Sequence, residues 1–578
     1  MAISGRAMAA LAVGLTIPAL AWAADPSAGS SQTAGGSMAG MAVPAAAPGP
    51  PATLEGWAQG AQIFAGLGDF HRQATTRSPE AQTYFDQGVR FVWAFNHDEA
   101  TRSFAKAAEL DPACAACWWG VALSLGPNYN MPLMADPRGR VGWEAVKRAR
   151  AVAAGASPVE QALIEAVAQR FAGPAPLDPT AATPRLTAYA GAMKSVADRF
   201  PEDLDVQVLT AEAQMNVNPW KLWSLDSTPA PGTQEIVTRL EGVLAKAPNH
   251  PGANHYYVHA LEASPHPEKA LDAAGRLAVL MPAAGHIVHM PAHILQRVGR
   301  YEDAAQANRL AAGVDAAYYQ KTSAPDYYPM YTAHNYQFLA FSAAMEGRRA
   351  ETLAAVKKAR SLAPDEMLAN MPGADWMAGD LYQAMVRFGL WGDILDQPAP
   401  AAKLPGLKGS WLEARAIALA KTGRIAEAKS AAGELEKLAA ATPADYPAGF
   451  NTAHDMLALG LLIARANIAL AEHDAAMGVA LLREAVRRED RLAYDEPADA
   501  FFPARHQLGA ALLASGDPKA AEAVYRADLA RNPDNGWSLK GLALALAAEG
   551  RVDETADARR RFEAAWTHAD VVPPGSAY

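Results

Sequence analysis

One spacing limits what this chain can fold into more than any other feature of its sequence: residues of the same type recur 34 positions apart in the middle of the chain. The clearest pairs at this offset are Pro248 and Pro282, His255 and His289, His259 and His293, Leu261 and Leu295, and Ala270 and Ala304. A fixed period of this length is typical of a structural repeat, in which each unit buries its apolar face only against its neighbours. The chain is therefore predicted to grow by stacking similar units.

From about Thr53 onward, the sequence has the pattern of one helix after another. Ala-rich segments carry apolar residues at positions i, i+3, i+4 and i+7, and Gly, Pro or Asp-Pro separates them. No stretch of alternating β-branched residues is convincing as a strand. The fold class is therefore predicted to be all-α.

The joints between these predicted helices recur in a common form, with a turn residue, a helix that carries small residues and a terminating proline. The segments are those that end at Pro112, Pro364, Pro443 and Pro533 and the one that begins at Gly299. Together with Trp118, which follows Pro112, this pattern resembles the tetratricopeptide repeat, a helix-turn-helix unit of about 34 residues. The resemblance covers most of residues 80–566.

The resemblance implies a right-handed superhelical solenoid whose concave groove is lined by the first helix of each pair. In this chain we expect those first helices at about residues 252–263, 285–298 and 331–345. We divide the predicted solenoid into N-terminal repeats, His-rich repeats that carry the candidate site, and C-terminal repeats. Their ranges are 53–250, 251–365 and 366–578.

The N-terminal residues 1–23 are predicted to be a cleavable signal peptide. They combine a basic start at Arg6, an apolar run to about Leu20 and small residues before the expected cleavage point. Later residues offer no run of 18 apolar residues, so no transmembrane segment is predicted in the mature chain. The resemblance is thus to an exported, bacterial type of tetratricopeptide-repeat protein, which we expect to be periplasmic or secreted.

Residues 24–52 are rich in Ala, Gly, Ser and Pro and are predicted to be a disordered linker. Met38 and Met41 lie in it, and two thioethers could hold Cu(I), although an incidental pair is the simpler interpretation. The net charge of -10 and the pI near 5.8 leave no basic field for nucleic acid. Nucleic-acid binding is therefore not predicted.

Two cysteines, Cys114 and Cys117, have C-x-x-C spacing. In an oxidising compartment they could be a redox pair, half of a metal site or a local disulfide, and a plain structural role is the simplest interpretation. No second C-x-x-C completes a tetrahedral zinc site.

Histidines are concentrated in the central repeats, where eight of the 14 in the chain lie between His250 and His334. Within one predicted helix, two histidines and a glutamate share a face at i, i+4 and i+7, and within the next, three histidines do so at i, i+3 and i+7. One interruption is Pro291, which must kink the second helix or delay its start. The predicted metal-site residues are His255, His259, Glu262, His286, His289, His293 and His334.

Five or six imidazoles with one carboxylate suit a transition metal such as Zn, Cu or Fe rather than Ca or Mg. Because these ligands exceed what one four-coordinate ion needs, one or two ions could bind, for catalysis or for metal handling. In an enzyme, Glu262 could be a ligand or the general base. The alternative is a non-catalytic scaffold that binds a peptide or partner protein in its groove. No motif supports a nucleophilic enzyme or a zinc protease, and the sequence leaves open whether the protein is an enzyme at all.

Overall fold

The structure is a computed structural model that describes residues 49–131, 137–171, 173, 179–322 and 327–578. The predicted signal peptide, residues 24–48 of the predicted linker, and with them Met38 and Met41, lie outside the described residues. Throughout the described part the chain is built from helices, which confirms the all-α prediction.

The N-terminal helices follow one another as the periodicity predicts, most of them beginning at a capping Ser, Thr, Asp or Asn whose side chain accepts a backbone N–H. The helices are α1 (Leu54–Gln59), α2 (Pro79–Trp93), α3 (His97–Leu110), α4 (Ala115–Leu125), α5 (Arg138–Val152), α6 (Pro158–Val167), α7 (Pro179–Arg199), α8 (Leu204–Met215) and α9 (Thr233–Lys246). Short 3₁₀ turns extend α5 and α6 over Ala153–Gly155 and Ala168–Arg170.

The central helices carry the predicted histidines. They are α10 (Pro251–Leu261), α11 (Leu271–Leu280), α12 (Gly285–His289), α13 (Pro291–Arg297), α14 (Tyr301–Lys321), α15 (Tyr328–Met345), α16 (Arg349–Leu362), α17 (Asp365–Ala369), α18 (Asp380–Arg387) and α19 (Trp391–Leu395), with 3₁₀ turns at Pro267–Ala270 and Met377–Gly379.

The C-terminal helices complete the array. They are α20 (Pro405–Lys421), α21 (Ile425–Ala441), α22 (Ala453–Ala471), α23 (Ala475–Glu489), α24 (Ala504–Ala514), α25 (Pro518–Arg531), α26 (Gly536–Ala548) and α27 (Val552–Ala565). The β structure of the described residues is a two-stranded antiparallel hairpin of β1 (Pro447–Ala448) and β2 (Asn451–Thr452).

Successive helices pack as stacked pairs. Most helices pack on the next in sequence, and α2, α20 and α24 also contact the next helix but one, α4, α22 and α26. This is the packing of helix-turn-helix repeats of the tetratricopeptide type, because a pair covers its apolar face only with the pairs beside it. The chain therefore forms the all-α, TPR-like solenoid that the repeat predicted.

A glycine in the left-handed region closes the first helix of several pairs, at Gly299, Gly347, Gly423, Gly516 and Gly550. The residue after each of these glycines donates its N–H to the carbonyl five positions earlier, as Arg300 does to Leu295. This is the Schellman motif, in which glycine avoids the steric cost of a positive φ. The recurring joints of the sequence are therefore helix C-caps.

Cys114 and Cys117 are joined in a disulfide at the start of α4, and both are fully buried. Of the alternatives left open by the sequence, the local disulfide is the one present. Both sulfurs are thereby removed from use as metal ligands.

One described helix, α22, is long and apolar enough to cross a membrane by length and composition, which the sequence analysis did not anticipate. Most of its apolar window, 61%, is buried within the fold, where it packs against α20, α21 and α23. Core helices of folded domains have the same length and composition.

Candidate metal centre

The structure brings all seven predicted site residues into one buried group, which we call the histidine cluster. Helix α10 supplies His255 and His259, and Glu262 is the residue that ends this helix. The remaining members are His286 and His289 on α12, His293 on α13 and His334 on α15.

Pro291 divides the predicted helix 285–298 into two short helices, α12 and α13. A proline has no N–H to continue the hydrogen-bond ladder, so α13 starts with Pro291 in its first turn. His286 and His289 nevertheless lie on a helix and not on a loop, and they face the cluster with His293.

Three histidines form the first half of the cluster, which we call centre A: His255, His259 and His286. One ring nitrogen from each lies within 4.8 Å of the others. The Nε2 atoms of His255 and His286 are 3.2 Å apart, and Nδ1 of His255 donates to the Trp93 carbonyl at 2.6 Å. Nε2 of His259 is buried and has no hydrogen-bond partner among the described residues.

The second half, centre B, contains His289, His293 and His334, again with one nitrogen of each within 4.8 Å of the others. The Nε2 atoms of His289 and His293 are 2.9 Å apart. Nδ1 of His289 donates to the side-chain oxygen of Asn308 at 2.7 Å. For His255 in centre A and His289 in centre B, the nitrogen that meets a neighbouring imidazole is therefore the one left free once an outer group has fixed Nδ1.

Two carboxylates hold the outer side of the cluster. Glu262 lies 3.1 Å from Nδ1 of His259 in centre A and 3.0 Å from Nδ1 of His293 in centre B, so it joins the two halves. Glu496 bonds the same Nδ1 of His293 and reaches it from the segment before α24. Glu262 thus contacts the Nδ1 side of the rings, opposite the nitrogens that converge.

The neighbour pairs only partly follow the 34-residue offset. His259 and His293 are neighbours, with ring centroids 5.7 Å apart. His255, however, packs against His286 at 5.0 Å, and not against His289 as a strict repeat would place it. Helices α10 and α12 nevertheless begin 34 residues apart, at Pro251 and Gly285, so the difference lies in how the side chains pack.

Burial keeps most of these imidazoles neutral. It lowers the pKa of His255, His286 and His289 well below the ordinary value, and neighbouring histidines lower it further. Burial also lowers the pKa of His334, to about 3. Burial would lower the pKa of His293 too, but the adjacent carboxylates outweigh it and raise that pKa. Neutral imidazole is the form that binds metal.

Aromatic rings enclose centre A. Phe95 stacks on His259 and His286 with centroids 5.7 and 5.6 Å away, Tyr331 stacks on His286 at 5.3 Å, and Trp220 meets His259 edge-on at 5.4 Å. Phe95 and Trp220 both have a positive φ, of 53° and 61°. Such a backbone is costly for a bulky residue and is often found at functional sites.

The cluster lies in the interior of the protein and not on an open groove surface. His255 and His289 have no exposed area, His286 is 9% exposed, and His334 is partly exposed. The resemblance to groove-binding repeats implied a more open position. The difference arises because aromatic residues and the segment that carries Glu496 cover the helices that would line the groove.

Several side chains that contact the histidine cluster were not predicted from the sequence. Glu496 is 203 residues from its partner His293, and no motif marks it. Asn308 is one of many polar residues on α14. Phe95 did carry a signal, because it occupies a joint where the other repeats have glycine.

No known family matches this chain, and no curated protein matches it. Among solved structures it is similar to the human IFIT1 dimer with m7Gppp-AAAA, with 12% identity, a TM-score of 0.30 and coverage of 86% of this chain and 92% of that one. It is also similar to the APC/C hetero-tetramer Cut9-Hcn1 (12% identity, TM-score 0.28, 86% and 76% covered) and to Naa15/Naa10 bound to HypK-THB (12% identity, TM-score 0.20, 84% and 75% covered). Likenesses this weak carry no argument about ligand or activity.

Proposed function

We propose that this protein is a helical-repeat metalloprotein that binds two transition-metal ions side by side, one in centre A and one in centre B. Each ion is held by the three histidines of its centre, with Glu262 shared between the two sets of ligands as an outer anchor. The single observation that carries the proposal is the convergence of imidazole nitrogens in two adjacent groups of three histidines.

The separations between nitrogens fit metal ligation. Two nitrogens that each lie about 2.0–2.1 Å from a tetrahedral Zn are about 3.3 Å apart. His255 and His286 have their Nε2 atoms 3.2 Å apart, and the His289–His293 pair is somewhat closer at 2.9 Å. Both distances also fit an N–H···N hydrogen bond, so distance alone does not distinguish the two interpretations.

His259 supports metal ligation. Its Nε2 is buried without a hydrogen-bond partner among the described residues, beside two other imidazole nitrogens. An unpaired buried acceptor costs roughly 1–3 kcal/mol, and folded proteins seldom retain one without a purpose. A metal ion bound by the three nitrogens would satisfy it.

The outer contacts are those that metal-bound histidines need. Such a histidine usually donates its second ring N–H to a carboxylate, an amide or a backbone carbonyl, which fixes the tautomer and the ring orientation. Here the Trp93 carbonyl, Asn308 and Glu262 fill that role for His255, His289 and His259. In this proposal Glu262 therefore acts as an anchor of the ligand rings, although it also lies with His293 and Glu496 in a third group whose ligand atoms are close enough to share an ion.

Three imidazoles per ion suit Zn, Cu or Fe, and they leave a coordination position open in each centre. An ion with an open position supplies Lewis acidity and lowers the pKa of bound water to about 7 in known zinc enzymes. We therefore favour metal-dependent chemistry on a small molecule over metal storage. Binding of a peptide through these histidines is disfavoured, because five of the six have at most 9% of their area exposed.

The proposal is tested by measuring the metal content of protein purified without a His tag, before and after incubation with Zn, Cu and Fe salts. We expect about two equivalents in the parent, and about one in each of two double variants, His255→Ala/His259→Ala and His289→Ala/His293→Ala. The exposed pair His454→Ala/His568→Ala is the control and should bind as the parent does. A parent that takes up none of the three metals would disprove the proposal.

We also propose that the protein works in the periplasm or outside the cell. The signal-like sequence of residues 1–23 supports this, and so does the Cys114–Cys117 disulfide, since disulfides are rare in reducing compartments. Cell fractionation with N-terminal sequencing is the test. Intact residues 1–23 in a cytoplasmic fraction would contradict it.

A further inference from the structure

A buried arginine near centre A has no counter-ion. Arg170 is 1% exposed, and its Nε has no hydrogen-bond partner among the described residues. Its Nη1 donates to the Leu123 carbonyl at 3.1 Å, and its guanidinium lies 4.7 Å from the centre of the Tyr189 ring. No Asp or Glu in the described part of the chain forms an ion pair with it. Interior arginines are normally paired, because an uncompensated buried charge is costly.

Glu212 does not fill this role. Its charge acts on Arg170, but its carboxylate accepts from the side chain of Asn216 at 2.6 Å and makes no ion pair with the guanidinium. Burial raises the pKa of Glu212, although Arg170 opposes that rise. The guanidinium therefore lacks a carboxylate at bonding distance.

A second buried group without partners lies within reach of the charge on Arg170. His97 is 4% exposed, and neither of its ring nitrogens has a hydrogen-bond partner among the described residues. Burial, together with the charges of Arg170 and Arg138, lowers the pKa of His97 to about 3. The neutral ring keeps one N–H to donate. Arg138 is compensated by Asp98 at 2.7 Å, whereas Arg170 is not.

Phe95 joins His97 to centre A. Its ring packs on His97 with centroids 5.7 Å apart. The same ring contacts each histidine of centre A, at 4.5 Å for His255, 5.7 Å for His259 and 5.6 Å for His286. A single aromatic ring therefore separates His97 from centre A.

The segment after α4 joins Arg170 to centre A. A Cβ built on Gly126 would lie 2.7 Å from Cζ of Arg170, closer than two such atoms can come, so only glycine lets the guanidinium lie here. Tyr129, three residues further on, packs on His259 with ring centroids 5.3 Å apart. The segment thus contacts Arg170 at one end and centre A at the other.

We propose that the small molecule acted on at centre A carries a carboxylate, which Arg170 and His97 bind while the rest of the molecule extends along Phe95 and Tyr129 toward the ion. The inference rests on the proposed function and names the class of its substrate. A guanidinium can bind a carboxylate through two hydrogen bonds, and an imidazole N–H can add a third. One positive charge matches a monoanion, whereas a phosphate dianion would bury an excess negative charge.

The first test uses the metal-free, full-length protein, so that its result does not depend on metal binding. Calorimetric titration should show that acetate binds, and that phosphate binds more weakly than acetate. The neutral isostere acetamide should bind at least about tenfold more weakly, since hydrogen bonds to a charged group contribute that much. Arg170→Gln and His97→Gln should each weaken acetate binding by about tenfold or more for the same reason.

Arg387→Gln is the matched control. Arg387 is also fully buried, forms no ion pair within the described ranges and lies over two aromatic rings, but it belongs to the C-terminal repeats. This variant should bind acetate as the parent does. The inference would be overturned by a parent that does not bind acetate, by equal binding of acetate and acetamide, or by unchanged acetate binding in both Arg170→Gln and His97→Gln. Tighter binding of phosphate than of acetate would overturn the assignment to a carboxylate.

A second experiment tests whether the bound anion lies beside centre A. In protein loaded with paramagnetic Co²⁺, the methyl protons of acetate should relax faster than in protein loaded with Zn²⁺. The difference should fall in His255→Ala/His259→Ala, which lacks centre A. Acetate that binds the metal-free protein but relaxes equally with both ions would place the anion away from the ion and overturn its assignment to the substrate. A failure of the metal proposal would appear separately, in the metal content of the parent.

Discussion

At the scale of single residues, the cluster is organised by which nitrogen of each imidazole is occupied. The Nδ1–H of His255 donates a hydrogen bond to a backbone carbonyl, that of His259 donates to Glu262, and that of His289 donates to Asn308. Each of these bonds leaves Nε2 as the acceptor. The three outer partners therefore determine which ring nitrogen of each histidine is available to a ligand.

Glu262 is the outer partner with the widest reach, since it contacts a histidine in each centre. We predict that Glu262→Gln, which keeps the shape and removes the charge, lowers the metal affinity of the protein by roughly 10- to 100-fold, the usual effect of losing such a partner. Competition with a chromophoric chelator measures this affinity. Glu268→Gln, at an exposed site, should bind as the parent does, and equal affinities in all three proteins would argue against the anchoring role.

At the scale of one element, the joint after α2 departs from its counterparts. Phe95 has a φ of 53°, and Asn96 after it donates its N–H to the Phe91 carbonyl, the same bond that follows the glycine in other joints. Phe95 thus occupies a glycine position and carries a ring that packs on three histidines of centre A. The strained backbone at this joint therefore places an aromatic ring against the histidines of centre A.

Substitution of Phe95 should separate these two roles. The left-handed backbone costs a residue with a side chain about 1–2 kcal/mol, while truncating a buried Phe costs about 3–5 kcal/mol. We therefore predict that Phe95→Ala and Phe95→Gly both lower the free energy of unfolding. The loss in Phe95→Gly should be smaller than the loss in Phe95→Ala by about 1 kcal/mol. Urea unfolding followed by circular dichroism is the measurement.

His473 offers the matched control for this experiment. It has a φ of 65° at the equivalent joint, where Asp474 bonds the Ala469 carbonyl, but its side chain is exposed. His473→Gly should therefore be more stable than His473→Ala by about 1 kcal/mol, with no large loss in either. Equal free energies of unfolding for Phe95→Gly and Phe95→Ala would show that the left-handed backbone at this position does not lower the stability of the protein.

At the scale of the whole molecule, the described residues are held together across long stretches of sequence. Tyr318 bonds Glu99 across 219 residues, and Trp537 donates to the Ala344 carbonyl across 193. The histidine cluster adds the bond between His293 and Glu496. A metal ion in centre B would therefore stabilise contacts between the central and C-terminal repeats, since it binds only the folded chain.

Buried histidines should make the stability of the metal-free protein sensitive to acid. Burial lowers the pKa of His97 and of His334 to about 3, and it also lowers the pKa of His506. The unfolded chain binds a proton at each of these sites below about pH 6.5, whereas the folded chain does not, so stability falls as the pH falls. The loss is about 1.4 kcal/mol per pH unit for each such histidine.

The pH prediction has a direct measurement. Relative to His334→Gln, which cannot take up the proton, the metal-free parent should lose stability between pH 7 and pH 5, and the loss should continue toward pH 3, where His334 becomes charged in the folded state. Buried carboxyls whose pKa is raised to about 7, such as Asp315 and Glu413, change the urea midpoints of both proteins alike. The raised pKa of His293 adds a stabilisation that is constant below pH 6.5 and is lost only as the pH rises above that value. A parent whose urea midpoint falls no more steeply than that of His334→Gln would show that His334 is not buried in its neutral form.

The sequence by itself determined the features that depend on local spacing. The helices, their joints and their stacking follow from apolar periodicity and from turn residues such as Gly299 and Gly347, because these act within a few residues of chain. The grouping of His255 with His259, and of His289 with His293, also follows, since residues four apart share a helix face.

Only the tertiary structure decided which groups complete the site. His255 meets His286 and not His289, and this depends on how the two helices pack. Glu496 and the Trp93 carbonyl come from segments 203 and 162 residues away from the histidines they bond, and no local pattern encodes such a pairing. Local spacing therefore specifies which side chains share a helix face. The stacking of the repeats determines which residues from other parts of the chain contact that face.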